Sequence, residues 1–233
     1  MMDFFAFVIW PYVALAIFVV GHVWRWRHDQ FGWTSRTSQL LERKWLGLAS
    51  PLFHVGALLV ILGHIAGLLV PAELTEALGV SEHLYHSIAV GGGVLAGVLM
   101  GVGLVLLIIR RVVFRDRLRL VTTRGDIVLY VLLSVIVFFG FVETVGHNVV
   151  GPGYDYRKTV AIWFRSIFII HPEWTLMASA PFAYRVHATL GFALFAIWPF
   201  SRLVHVWSVP IGYLARPYIV YRGTRLATKE RGS

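Results

Sequence analysis

The chain has 233 residues, of which 58% are hydrophobic and only 14% charged. Its charges gather in short blocks between apolar runs of about 20 residues, which excludes a disordered chain, a small secreted cystine framework and an ordinary soluble enzyme, and leaves a polytopic membrane protein. The net charge of +9 asks first for a topology test, and the absence of cysteine excludes disulfides, thiolate-ligated haem and cysteine-bound iron–sulfur clusters, so that any metal must rely on histidine.

Five runs can cross a hydrocarbon core of roughly 30 Å as helices: residues 4–24, 49–70, 86–109, 127–146 and 182–209. The expected fold is an all-α membrane protein of five transmembrane helices. Residues 1–233 form a single integral membrane domain, and 217–233 are a cytoplasmic tail. The first run lacks a basic n-region and an A-x-A cleavage site, so it reads as a retained helix. In the third, Gly93, Gly97 and Gly101 make two overlapping G-x-x-x-G steps, which let another backbone or a flat ligand approach closely. The loop at 147–181 opens on the turn signal Gly151-Pro152-Gly153, and its apolar stretch 160–170 reads as a short interfacial helix that covers a site open to the outer half of the bilayer. The fifth run exceeds what crossing demands and contains Pro199, which can kink it.

The basic residues orient the bundle. Arg25, Arg27, Arg36, Arg43 and Lys44 follow the first run; Arg110, Arg111, Arg115, Arg117, Arg119 and Arg124 separate the third from the fourth; Arg202, Arg216, Arg222, Arg225, Lys229 and Arg231 end the chain. With five spans these blocks share one side, whereas the loop between the second and third runs has Glu73, Glu76 and Glu82 and no Lys or Arg. The positive-inside rule then places the N-terminus outside and the C-terminus in the cytoplasm. This explains the basic residues by topology and anionic lipid, and argues against a nucleic-acid partner. Trp24, Trp26, Trp207 and Tyr213 fit an interfacial aromatic belt.

Ionisable residues inside a membrane are expensive and usually mark function. His54 and His64 lie on the second run, His187 and His205 on the fifth, and the two runs are antiparallel. Two facing histidine pairs at two depths suit bis-imidazole haem, and equally suit histidines that pair with polar groups inside a transporter-like bundle. The spacing carries a tension. His54 and His64 are about 15 Å apart along a helix, but His187 and His205 would be about 27 Å apart. Tilt, a kink at Pro199 or oblique haem planes must absorb the difference. His22 and His86 read as hydrogen-bonded or propionate-contacting residues.

The run Ser38-Gln39-Leu40-Leu41-Glu42-Arg43-Lys44, with Leu52-Phe53-His54-Val55-Gly56 and Gly63-His64, resembles the gamma subunit of respiratory nitrate reductase. So do Tyr184-Arg185-Val186-His187 and the stretch from Pro199 to Pro210 that contains Arg202 and His205. The similarity runs over nearly the whole chain. It implies a cytochrome b of the cytoplasmic (inner) membrane that anchors an iron–sulfur beta subunit and, through it, a molybdenum-containing alpha subunit. It also implies two haem b groups, with His54 and His205 as ligands of the haem nearer the cytoplasm and His64 and His187 of the haem near the outer face. Quinol is oxidised beside the outer haem, electrons pass inward and protons leave outside. Relatives carry a lysine before the glycine-rich start of the third helix; His83 stands there in this chain, with His86 one turn on, and these are the candidates to bond the quinone oxygen and take its proton. Arg202 and Arg111, with Arg110 and Arg36 near the same level, are the cations expected at the haem propionates. The alternatives are a related haem b subunit of a sulfur-cycle or heterodisulfide-type complex and, in another class, a transporter or a structural anchor.

Overall fold

A helix that is apolar on every face is stable only where its surroundings are apolar too, and the long helices of this protein are of that kind. The computed structural model describes residues 1–34 and 38–208. Among them, four helices are long and apolar enough to cross a membrane: α1 (Met2–His28), α2 (Lys44–Leu69), α3 (Glu82–Val113) and α4 (Arg124–Val150). A bent pair, α5 (Phe182–Phe200) and the short segment Arg202–Ser208, makes a fifth. The described residues contain no strand, and the protein is a multi-pass protein of the inner membrane. Large side chains such as Leu58, Leu62, Val131 and Phe138 point outward from the helices, as a lipid-facing surface requires. Arg36, Val209, Pro210, Tyr213, Arg216 and the tail 217–233 lie outside the described residues.

Helices α3 and α4 are longer than their apolar runs alone, because capped, polar first turns extend them. Ser81 caps α3 by accepting from the Leu84 amide at 3.3 Å. Thr123 and Asp126 form a reciprocal capping box at the start of α4. Three spans also contain π-helical stretches, at Phe5–Ile9, Ile65–Leu69 and Val142–Val150. All three lie toward the same end of the bundle, the end that carries the N-terminus, and such stretches are frequent near functional sites.

Two packing centres hold the helices together. The larger joins α1 and α5 through Phe7, Ala14, Tyr184 and Phe192, with Val160, Trp163, Ile167 and Met177 wedged in from the 147–181 connection. A short helix was expected in this stretch, and Val160–Phe168 forms one that is packed against the bundle. Trp163 is fully buried and donates to the Phe7 carbonyl at 2.9 Å, and Tyr12 donates to the Ile167 carbonyl at 3.0 Å. The amphipathic stretch buries its apolar face against protein. The second centre, Leu104, Leu129 and Leu133, joins α3 to α4.

Helices α2 and α3 run along each other at backbone contact. A Cβ on Gly56 would meet the Met100 amide nitrogen at 2.2 Å, and one on Gly103 would meet the Phe53 nitrogen at 2.3 Å. The G-x-x-x-G face does something different. The Phe141 ring rests on Gly97 and Gly101, and Thr144 on Gly93, so that face receives side chains of α4.

The fifth span is broken rather than straight. After Ile197 the chain tightens into a 3-10 turn at Trp198–Phe200 and then bends by 75° into Arg202–Ser208. Pro199 supplies no amide hydrogen, so carbonyls near the break need other donors. Buried Arg25 of α1 supplies them, with Nη1 donating to the Pro199 carbonyl at 2.6 Å and the Ser201 carbonyl at 3.0 Å. Gly21 makes room, since a Cβ there would stand 2.8 Å from the Pro199 ring.

Candidate functional site

The bend removes the spacing mismatch. Ten residues separate His187 from Ile197, the last residue of the regular helix, as ten separate His54 from His64 on α2. Both intervals correspond to about 15 Å. The remaining residues to His205 turn sideways across the bundle, which brings His205 level with His54. The structure accordingly forms two pairs. The ring centroids of His54 and His205 lie 5.9 Å apart with planes crossed at 72°. Those of His64 and His187 lie 5.9 Å apart with planes at 13°.

That separation has a chemical meaning. Two imidazole nitrogens that bind one first-row metal from opposite sides at about 2 Å each put their ring centroids about 6 Å apart. The tautomers agree. His54 Nδ1 bonds to the Ser50 carbonyl at 2.8 Å and His64 Nδ1 to the Val60 carbonyl at 2.8 Å. His187 Nδ1 bonds to the Ile136 carbonyl at 3.1 Å and His205 Nδ1 to the Arg202 carbonyl at 2.6 Å. A carbonyl only accepts, so Nδ1 carries the hydrogen in each ring, and Nε2 is left with the lone pair that a metal needs. No group of three or more acidic or histidine ligands forms among the described residues, so a metal bound here would take the two imidazoles of a pair and find its other ligands elsewhere. A flat macrocycle supplies such ligands. Space for one is consistent with the packing: α2 lies along α3 and scarcely touches α5, although its histidines face α5. A Cβ on Gly47, Gly63 or Gly191 would meet nothing within 4 Å.

His22 is built differently. Its Nδ1 bonds to the Phe18 carbonyl at 2.7 Å, and Trp207 Nε1 donates to its Nε2 at 3.1 Å. Both nitrogens are used, and Trp207 holds the only lone pair. His83 and His86 stand one turn apart at the start of α3, both exposed.

Among the described residues, the basic residues expected at a propionate have protein partners. Arg202 makes a two-pronged pair with Asp126, Nε to Oδ1 at 2.7 Å and Nη2 to Oδ2 at 2.7 Å. Since the Arg202 carbonyl accepts from His205, Asp126 indirectly fixes a site histidine. Arg111 donates to the Tyr130 hydroxyl at 3.1 Å and to Thr122 Oγ1. Arg110, only 2% exposed, donates to Glu42 Oε2 at 2.6 Å, to the Glu42 carbonyl at 2.8 Å and to Ser38 Oγ at 2.9 Å. Burial pushes the Glu42 carboxyl up, but hydrogen bonds from the Trp45 and Leu46 amides and from Arg110 outweigh it and hold the group below its ordinary range.

Two site residues escaped the sequence reading. Glu143, inside α4, places Oε1 3.9 Å from His187 Nδ1, buried and with no hydrogen-bond partner. A lone acidic residue in an apolar run is the signal that marks it. Gly140 lies one turn earlier, and a Cβ there would come within 3.2 Å of the His187 ring, so glycine leaves that ring its place. At the same end of the bundle Arg157 and Tyr156, from the 147–181 connection, reach the start of α3. Tyr156 shares a 3.0 Å hydrogen bond with Tyr85, and its phenol is pushed up by burial and by that neighbour, so it stays neutral.

The family model described as nitrate reductase gamma subunit matches residues 3–224. The chain is 45% identical over 214 residues to the nitrate reductase gamma chain of Bacillus subtilis, covering 92% of this chain and 95% of that protein. It is 37% identical over 222 residues to the respiratory nitrate reductase 1 gamma chain of Escherichia coli, covering 95% and 97%. It is also 50% identical over 213 residues to the nitrate reductase-like protein NarX of Mycobacterium tuberculosis. There the match covers 91% of this chain but 32% of the relative, so this chain spans about a third of that protein's length.

Proposed function

The chain belongs to the nitrate reductase gamma-subunit family, and from that premise we propose that it is the dihaem cytochrome b subunit that oxidises quinol for a respiratory nitrate reductase. In this reading the N-terminus is outside and the C-terminus cytoplasmic. Electrons from quinol oxidised near the outer face reach an iron–sulfur beta subunit and then a molybdenum-containing alpha subunit, and the two protons of each quinol leave outside. The chain acts as an enzyme only within that complex, and the tail 217–233 is a docking segment for the soluble subunits.

The observation that carries this reading is the matched pair of histidine pairs, each at 5.9 Å and each with Nδ1 hydrogen-bonded to a main-chain carbonyl. Haem b held by His54 and His205 on the cytoplasmic side, and by His64 and His187 on the outer side, supplies a one-electron couple at each depth.

The protein residues do the rest. The carbonyls of Ser50, Val60, Ile136 and Arg202 fix tautomer and ring direction, so the imidazoles need no rearrangement to bind. Asp126 and Arg202 brace the His205 segment beyond the bend. Arg111 and Arg202 lie near the level of the cytoplasmic pair and complement carboxylates there, while their present partners hold them extended. His83 and His86 bond the quinol hydroxyl and accept its proton, and their exposure at the outer end gives that proton a route to water.

The test is to measure nitrate reduction in membranes that carry the whole complex, driven either by a short-chain quinol or by a reduced viologen dye that reaches the soluble subunits directly. His64→Ala and His205→Ala should abolish the quinol-driven rate and preserve the dye-driven one. A quinol-driven rate that survives both substitutions overturns the reading.

A further inference from the structure

Arg157 comes from the 147–181 connection, yet its side chain is only 4% exposed. Its Nη1 donates to Glu82 Oε2 at 3.0 Å and its Nη2 to Thr75 Oγ1 at 2.8 Å, while the guanidinium lies over the Tyr85 ring, 3.8 Å from its centroid. Thr75 passes its own hydrogen to the Ala72 carbonyl at 2.8 Å, so its oxygen is turned to accept. Beside Arg157, Tyr156 reaches Tyr85 and packs its hydroxyl on Gly67, where a Cβ would stand 2.7 Å away. One arginine thus ties together the helix Ala72–Ala77, the start of α3 and the long connection, next to the π-helical turn that follows His64.

Helical geometry gives this clamp a consequence. Residues three apart share a face, so Glu82 and Tyr85 form one row, and His83 and His86 form the neighbouring row. A helix start held only by its cap can rotate and fray. Here both members of the first row are gripped by the same planar cation, which fixes the rotation of α3 and with it the direction of the second row. We propose that Arg157 is a positioning residue for quinol oxidation: it sets the register of the α3 start and so presents His83 and His86 to the quinol. The inference rests on the reading of those two histidines given above. The guanidinium is suited to the task because it can pair with a carboxylate and a hydroxyl while it lies flat on a ring, which an ammonium cannot do.

The experiment uses membranes carrying the full complex and compares quinol-driven with dye-driven nitrate reduction. The variants are Arg157→Ala, Glu82→Gln, His83→Ala, His86→Ala and each histidine variant combined with Arg157→Ala. Arg157→Ala should lower kcat/KM for quinol by at least about tenfold, as misplacement of a reacting group does, with dye-driven activity and haem spectra unchanged. Because Arg157 acts through the histidines, at least one double variant should lose no more than its worse single. Glu82 is half exposed, so Glu82→Gln is the second variant should Arg157→Ala fail to fold, and it should show a smaller loss of the same kind. Unchanged quinol kinetics in Arg157→Ala and Glu82→Gln, or losses that multiply in both doubles, overturn the proposal alone. If neither histidine variant affects quinol oxidation, the histidine assignment itself falls, and the positioning role falls with it.

Discussion

An imidazole inside an apolar helix can satisfy itself in two ways, and the hydrogen bonds at each ring separate them. In His22 both nitrogens are engaged, Nδ1 by the Phe18 carbonyl and Nε2 by Trp207. In His54, His64, His187 and His205 the Nδ1 hydrogen goes to a carbonyl and Nε2 is left as a base. His22→Ala should therefore leave both haem signals in place, and optical spectra of membranes carrying that variant check it. The four pairing histidines were legible in the sequence because ionisable groups in apolar runs stand out. The ion pair between Asp126 and Arg202 was not, since the two residues are 76 positions apart and each also reads as an ordinary helix-end charge. Glu143 carries the same signal as the histidines, a lone ionisable group in an apolar run, but near the end of that run it also reads as an ordinary helix-end charge.

Among the elements, α2, α3 and α5 do most to place the site, and they do so through glycine and proline. The contact of α2 with α3 leaves no space for a methyl group at Gly56 or Gly103, because the obstructing atoms are backbone and cannot swing aside. Gly56→Ala or Gly103→Ala must push the helices apart, and each should destabilise the protein by about 1–3 kcal/mol, the usual effect of overpacking. Gly91→Ala, which faces open space, should cost much less, and thermal unfolding in detergent measures all three. The positions of the spans followed from apolar runs of sufficient length. Pro199 marked the break, but a proline does not specify the size or direction of a bend. The 75° turn depends on Arg25 and Gly21 from another helix, and helix-to-helix contacts of that kind leave no periodic trace in the sequence.

At the scale of the whole molecule, charge and hydrogen bonding divide the two ends of the bundle. One end gathers Arg110 with Glu42, Arg111 with Tyr130 and Arg202 with Asp126, together with exposed Trp24, Trp26 and Trp207. The other gathers the π-helical turns, the Arg157 clamp and the exposed His83 and His86. The proposed orientation puts the first end in the cytoplasm. The chain has no cysteine, so single cysteines at the exposed positions Leu78 and Leu120 report on each end without background. A membrane-impermeant thiol reagent added to intact spheroplasts should label Leu78→Cys and should label Leu120→Cys only after the membrane is opened. The reverse pattern would invert the topology.

Redox-titrated optical and electron paramagnetic resonance spectra of the protein in membranes test most directly whether each histidine pair holds one haem. Two low-spin b-type signals of different anisotropy are expected, the larger from the pair with planes crossed at 72° and the smaller from the pair at 13°. His205→Ala should remove the first signal and His64→Ala the second. Folded wild-type protein with no haem signal, or a single signal that both substitutions abolish, would contradict the assignment of one haem to each pair.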